Sequence, residues 1–132
     1  MIWRRCGEEA VRLPPLVQAY IGDAVFELYI RSHLAARGAK VQRLHRDAIS
    51  KVSAKAMAEY YIRLEPHLSD VEREVLHRGR NVKSHRIKSA GVTQYHMSTG
   101  FEALVGYLFL SEQEDRLAQL MNLLFGDEEW AK

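Results

Sequence analysis

Two stretches almost eighty residues apart each place a carboxylate beside a glycine inside an otherwise apolar, helix-like run: Tyr20-Ile21-Gly22-Asp23-Ala24-Val25-Phe26-Glu27 and Phe101-Glu102-Ala103-Leu104-Val105-Gly106. Gly costs a helix interior about 1 kcal/mol relative to Ala, and Asp is also a poor interior residue. A carboxylate facing packed surface must find a partner or shift its pKa. Meeting this arrangement twice in 132 residues points to two glycine-thinned helices that cross closely, with acidic groups at the junction.

The rest of the chain reads as helix around that junction. Pro14-Pro15 opens a first helix with apolar positions Leu16, Ala19, Tyr20, Val25, Phe26, Tyr29, Ile30 and Leu34, ending near Gly38. A second pattern covers about residues 41–64 and stops at Pro66. Ser69-Asp70-Val71-Glu72 reads as a capping box that starts a third helix over about 70–79, with Gly79 as terminator. Residues 80–97 lack sustained periodicity and read as a long loop, followed by helices over about 99–111 and 113–125. No convincing strand alternation occurs, so the fold class is all-α. The length and the 47% hydrophobic content suit one domain over 1–132 with its core at about 14–125.

Several functional classes lack their sequence signals. Cys6 stands alone, which excludes an intrachain disulfide, and the six histidines have no metal-ligand spacing. No Gly-x-Ser-x-Gly, phosphate-loop or dinucleotide fingerprint is present. Neither a signal peptide nor a membrane span is evident, and a reducing, cytoplasmic setting is expected. The net charge of +2 conceals an uneven distribution. Residues 28–58 carry seven Lys or Arg against the single acid Asp47, and residues 75–101 carry Arg78, Arg80, Lys83, Arg86 and Lys88 with no acid. Such segments are either solvated helix faces or surface for a polyanion, most simply a nucleic acid.

Asp23 and Glu27 lie four residues apart and share one helix face. If the first and fourth of these helices cross near Gly22 and Gly106, the Glu102 carboxylate reaches the region of Asp23. Oxygen ligands from two helices, completed by water and phosphate, are a usual way to hold Mg²⁺. Each acid also has a plainer reading. Thr99-Gly100-Phe101-Glu102 is a capping box in its own right, and Glu27 pairs naturally with Arg31 at i,i+4. Asp23 has no cap position, and Ile21, Ala24 and Val25 around it suggest a buried surface.

Together with Val52-Ser53-Ala54-Lys55, Arg78-Gly79-Arg80-Asn81-Val82-Lys83-Ser84 and Ser98-Thr99 ahead of the second acidic motif, these stretches resemble the Mini-ribonuclease III family. Its members are ribonuclease III catalytic domains without a separate double-stranded RNA-binding domain. The resemblance covers essentially residues 14–125. It implies a ribonuclease III endonuclease-like helical bundle, assembled as a symmetric homodimer, that cuts double-stranded RNA with Mg²⁺ and leaves 5′-phosphate and 3′-hydroxyl ends. It also implies a role in maturing 23S ribosomal RNA precursor ends in bacteria, with room for a ribosomal-protein helper. Asp23 and Glu102 take the catalytic, metal-binding positions, and Arg78, Arg80, Asn81, Lys83, Ser84, Arg86 and Lys88 are the expected RNA-binding residues. Ribonuclease III places further carboxylates where this chain has Ala19 and Thr99, so fewer anionic ligands should leave more water on a bound cation. A non-catalytic RNA-binding module of the same fold, or a helical interaction protein whose acids are caps and surface pairs, would be separated from the enzyme by cleavage and by duplex binding.

Overall fold

The computed structural model describes residues 2–83, 91–126 and 130. Among these, the chain forms six α-helices and two 3₁₀ turns, with no strand: a 3₁₀ turn Gly7–Arg12, α1 (Pro15–Ala35), α2 (Val41–Val52), α3 (Ala54–Leu64), a 3₁₀ turn Glu65–His67, α4 (Asp70–Arg80), α5 (Val92–Leu110) and α6 (Glu114–Phe125). Pro15 occupies the first turn of α1, where its missing N–H costs no helical hydrogen bond.

The pattern expected to run through 41–64 splits at Ser53. This residue is extended, and its hydroxyl accepts from the Ala56 N–H at 3.1 Å, so it caps α3. The Ser69 capping box forms as read. Ser69 Oγ accepts from Glu72 N–H at 3.2 Å, and Glu72 Oε1 accepts from Ser69 N–H at 2.9 Å. Gly79 does not end α4; it lies buried inside the helix, which continues to Arg80.

The largest departure from the sequence reading is at α5. Residues 92–97 belong to this helix rather than to a loop, and Thr99 sits in its interior, not at a cap. The hydroxyls of Ser98 and Thr99 donate to the Tyr95 carbonyl at 2.7 and 3.0 Å. These bonds satisfy polar side chains that the helix buries.

α5 is the axis of the fold, with α1, α3 and α4 packed around it. Phe26 of α1 meets the edge of Phe101 at a ring-centroid separation of 4.9 Å, and Tyr60, Leu104, Leu108 and Phe125 extend the core. α6 is fastened to the start of α4 by Arg116, whose Nε and Nη2 donate to the Glu72 carboxylate at 2.8 and 2.9 Å. Burial by itself would raise the Glu72 pKa. The hydrogen bonds from Arg116 and from the Ser69 N–H outweigh it and hold this carboxyl below its ordinary value.

Candidate active site

α1 and α5 cross with their backbones in contact. A Cβ added to Gly22 would lie 1.7 Å from the Glu102 carbonyl oxygen, and one added to Gly106 would lie 1.8 Å from the Gln18 carbonyl oxygen. Only glycine fits at either position. The sequence expectation that Gly22 and Gly106 thin two crossing helices is therefore met by the geometry.

The crossing brings the two acids together. Asp23 follows Gly22 on α1 and Glu102 lies one turn before Gly106 on α5, close enough for their side chains to hydrogen-bond. Burial, then the hydrogen bond to Asp23 and the nearby Asp23 charge, push the Glu102 carboxyl up to about 8. Burial and the neighbouring Asp23 thus favour the protonated form of Glu102 when no cation is bound.

Asp23 itself is exposed, which corrects the expectation of a buried surface around it. The side of α1 that packs inward is Ala19, Gly22, Phe26, Ile30 and Leu34. Asp23 stands one residue beyond that seam with exposed Ala24 beside it, while Ile21 and Val25 are half-buried. A solvent-facing carboxylate next to a half-buried one forms a pair that a substrate can reach.

Glu27 does not join the pair; its carboxylate meets Arg31 Nε at 2.7 Å, as the i,i+4 spacing suggested. Ala19 and Thr99 are both buried. Among the described residues no group of three or more acidic, histidine or cysteine side chains is placed to hold a metal ion. The donor set is thus two carboxylates. This fits Mg²⁺, which keeps several waters and takes one or two protein carboxylates.

The expected RNA-binding residues divide four ways. Asn81 and Lys83 are exposed just after α4. Arg80 is half-buried, with its guanidinium 5.9 Å from the Tyr61 ring centroid and Nε donating to Asn81 Oδ1 at 3.3 Å. Arg78 donates to the Val11 carbonyl at 3.1 Å and so ties α4 to the N-terminal 3₁₀ turn. Ser84, Arg86 and Lys88 lie outside the described residues.

Two features beside the site were not foreseen. Leu16 and Tyr20, read as apolar positions of α1, are 55% and 78% exposed, and Val17 and Leu28 are exposed with them. The signal was available: α1 is apolar on nearly all sides, and a helix of that kind must be covered on all sides. The second feature is another glycine crossing, Gly79 of α4 against Gly100 of α5, where a Cβ on Gly79 would lie 2.8 Å from Gly100 Cα.

Comparison with known proteins agrees with this geometry. The Ribonuclease III domain model matches residues 17–113. The Mini-ribonuclease 3 of Symbiobacterium thermophilum is 48% identical over 111 residues, covering 83% of this chain and 85% of that protein. That of a Thermoanaerobacter species is 43% identical over 118 residues, covering 88% and 83%. A crystal structure of a protein from Fusobacterium nucleatum superimposes with a TM-score of 0.81 at 25% identity, covering 92% of this chain and 99% of that one. On the strength of the domain match, these relatives and the shared fold, the chain belongs to the ribonuclease III family, among the Mini-ribonuclease 3 proteins, and is an endoribonuclease.

Proposed function

We propose that this endoribonuclease cuts double-stranded RNA with Mg²⁺ at the Asp23–Glu102 pair, leaving 5′-phosphate and 3′-hydroxyl ends, and that its physiological substrate is the 23S ribosomal RNA precursor in the bacterial cytoplasm. The observation that carries this reading is the pairing of the two carboxylates at the Gly22–Gly106 crossing. Asp23 and Glu102 would hold the cation, which when bound neutralises phosphodiester charge and activates water. The contribution of the chain is placement. Backbone contact between α1 and α5 leaves the two carboxylates little freedom to separate, so their geometry is set before substrate arrives. Exposure of Asp23 lets the pair meet a backbone as wide as an RNA duplex.

Asn81, Lys83 and Arg80 stand at the end of α4, where they can meet phosphates of the duplex, with Ser84, Arg86 and Lys88 following in sequence. Arg78, bonded to Val11, would act on this surface by holding α4 in place. A ribosomal protein that presents the substrate is compatible with this arrangement.

The active form is a symmetric homodimer. Leu16, Tyr20, Ala24 and Leu28 form an exposed, largely apolar stripe along α1, spanning about 18 Å at 1.5 Å per residue. A second copy of the same stripe would cover it, and a two-fold dimer matches the two-fold symmetry of a duplex. Tyr20→Lys should shift the protein from dimer to monomer in sedimentation; an unchanged dimer would place the interface elsewhere.

The test is cleavage of a labelled, fully paired RNA by wild type and Asp23→Asn, with Mg²⁺ and with chelator. Cutting should require Mg²⁺ and fall by a factor of at least about 10² in the variant, with folding and duplex binding retained. Cleavage by Asp23→Asn at the wild-type rate would remove Asp23 from the site.

A further inference from the structure

α3 buries two consecutive tyrosines, Tyr60 and Tyr61, and they are satisfied differently. The Tyr60 hydroxyl donates to the Lys51 carbonyl at 2.9 Å. Tyr61 is 2% exposed, yet its buried hydroxyl completes no hydrogen bond among the described residues. A phenylalanine would fill the same space without leaving a hydroxyl dry and unpaired, which costs free energy. The oxygen therefore needs a partner close by.

The end of α4 supplies one. A Cβ on Gly100 of α5 would lie 2.6 Å from the Leu76 carbonyl oxygen, 3.0 Å from Tyr61 Cε2 and 3.2 Å from the Arg80 backbone nitrogen. The Tyr61 ring and the start of the Arg80 side chain thus rest against the same bare spot on α5. From there the Arg80 guanidinium carbon stands 5.9 Å from the centre of the Tyr61 ring, the outer range of a cation–π contact. Burial raises the pKa of the Tyr61 hydroxyl, and the Arg80 charge beside it opposes that rise.

Further contacts fix both partners. His77, three residues before Arg80 on α4, stacks on Tyr61 with ring centroids 6.4 Å apart and planes 27° from parallel. Its Nε2 pairs with the carboxylate of Glu65, in the 3₁₀ turn that follows α3. Arg80 Nε donates to Asn81 Oδ1 at 3.3 Å, so the guanidinium lies between Tyr61 and Asn81.

We propose that Tyr61 is a positioning residue for RNA binding: its ring and hydroxyl hold the Arg80 guanidinium in the orientation that meets a substrate phosphate, and the His77–Glu65 pair keeps the ring in place. The inference rests on the reading of the chain as a double-stranded RNA nuclease. A guanidinium has five N–H donors, so it can give one to the Tyr61 hydroxyl and still present others to phosphate. An arginine already held in place loses less side-chain freedom on binding than a free one. The benefit is affinity, and the chemistry at Asp23 and Glu102 is untouched.

The experiment follows duplex RNA binding by fluorescence anisotropy over a range of KCl, single-turnover cleavage over a range of RNA concentrations, and urea unfolding. It compares wild type, Tyr61→Phe, Arg80→Gln and the double variant. Arg80→Gln should lower the slope of log affinity against log salt by about 1. Tyr61→Phe should resist urea as well as wild type, because it removes only an unpaired buried hydroxyl. It should nonetheless weaken binding about fivefold. The half-saturating RNA concentration for cleavage should rise by the same factor, with the saturated rate within about twofold of wild type. In the Arg80→Gln background the same substitution should change affinity by less than about twofold, a coupling that a purely structural tyrosine would not show. Wild-type affinity in either single variant, or an equal loss from Tyr61→Phe with and without Arg80, would overturn the proposal. So would a fall in urea resistance that accounts for the weaker binding. A wild type that neither binds nor cuts duplex RNA would instead overturn the proposed function itself.

Discussion

α5 is crossed twice at a glycine pair, by α1 at Gly22–Gly106 and by α4 at Gly79–Gly100, and the two crossings serve different ends. At the first, a Cβ on either glycine would fall within 2 Å of a carbonyl oxygen. At the second, a Cβ on Gly79 would lie 2.8 Å from Gly100 Cα and 2.9 Å from Ala103 Cβ. Both bring backbones together, yet among the described residues only the first sets two carboxylates against each other. Beside the second stand His77, which pairs with Glu65, and Tyr61, stacked on His77 and close to Arg80. Close approach of helices is thus a building device, and the chemistry depends on which side chains the approach leaves at its edge.

The sharpest way to break the comparison is to fill each crossing. Gly22→Ala or Gly106→Ala drives a methyl into backbone that cannot yield without parting α1 from α5. Each should cost about 4 kcal/mol or more, enough to abolish cooperative folding of a marginally stable domain. Gly79→Ala overlaps its neighbours less deeply, at 2.8 Å from Gly100 Cα and 2.9 Å from Ala103 Cβ, and should cost about 1–3 kcal/mol, leaving a folded protein. Urea unfolding reads both. Equal costs at the two crossings would mean that α1 can slide on α5 and that the acidic pair is less firmly held than argued.

A smaller effect sharpens the electrostatic half of the comparison. The Glu102 pKa is raised from 4.5 to about 8 in the folded chain, so between those values the folded state holds a proton that the unfolded chain releases. Below about pH 4.5 both states are protonated and there is no penalty. As pH rises toward 8 the stability difference is lost, and above 8 two neighbouring carboxylates repel in full. Glu102→Gln keeps the shape and removes that repulsion. In chelator it should match wild type near pH 4 and melt higher by a few degrees at pH 8–9, a gain of roughly 1 kcal/mol once solvent screening at a half-exposed site is allowed for. No pH-dependent gap between the two melting curves would mean that the carboxylates do not interact as the geometry indicates.

The same contrast explains what could be read from the sequence. The first crossing was legible because a glycine and an acid side by side in an apolar run violate helix preference twice over. Ser69 and Glu72 were legible because a capping box is local. The second crossing was hidden: Gly79 looks like a helix stop, and nothing near it in sequence reveals that Gly100 will face it. The first turns of α5 were hidden for a related reason. Ser98 and Thr99 read as loop or cap residues until the Tyr95 carbonyl is seen to satisfy both. Arg78 was read from its charge as an RNA contact, but its partner Val11 is 67 residues away. For Gly79 and Arg78 the deciding neighbour is distant in sequence, and periodicity carries no information about it.

The central claim is that Asp23 and Glu102 form one cation site at the α1–α5 crossing. It is tested most directly by titrating Mn²⁺, as a spectroscopic substitute for Mg²⁺, into wild type, Asp23→Asn and Glu102→Gln and following bound metal by electron paramagnetic resonance. The account predicts saturable binding to wild type that weakens at least about tenfold in each single variant, since each loses one of two anionic ligands. Wild-type affinity retained in both variants would contradict it and place the catalytic cation elsewhere.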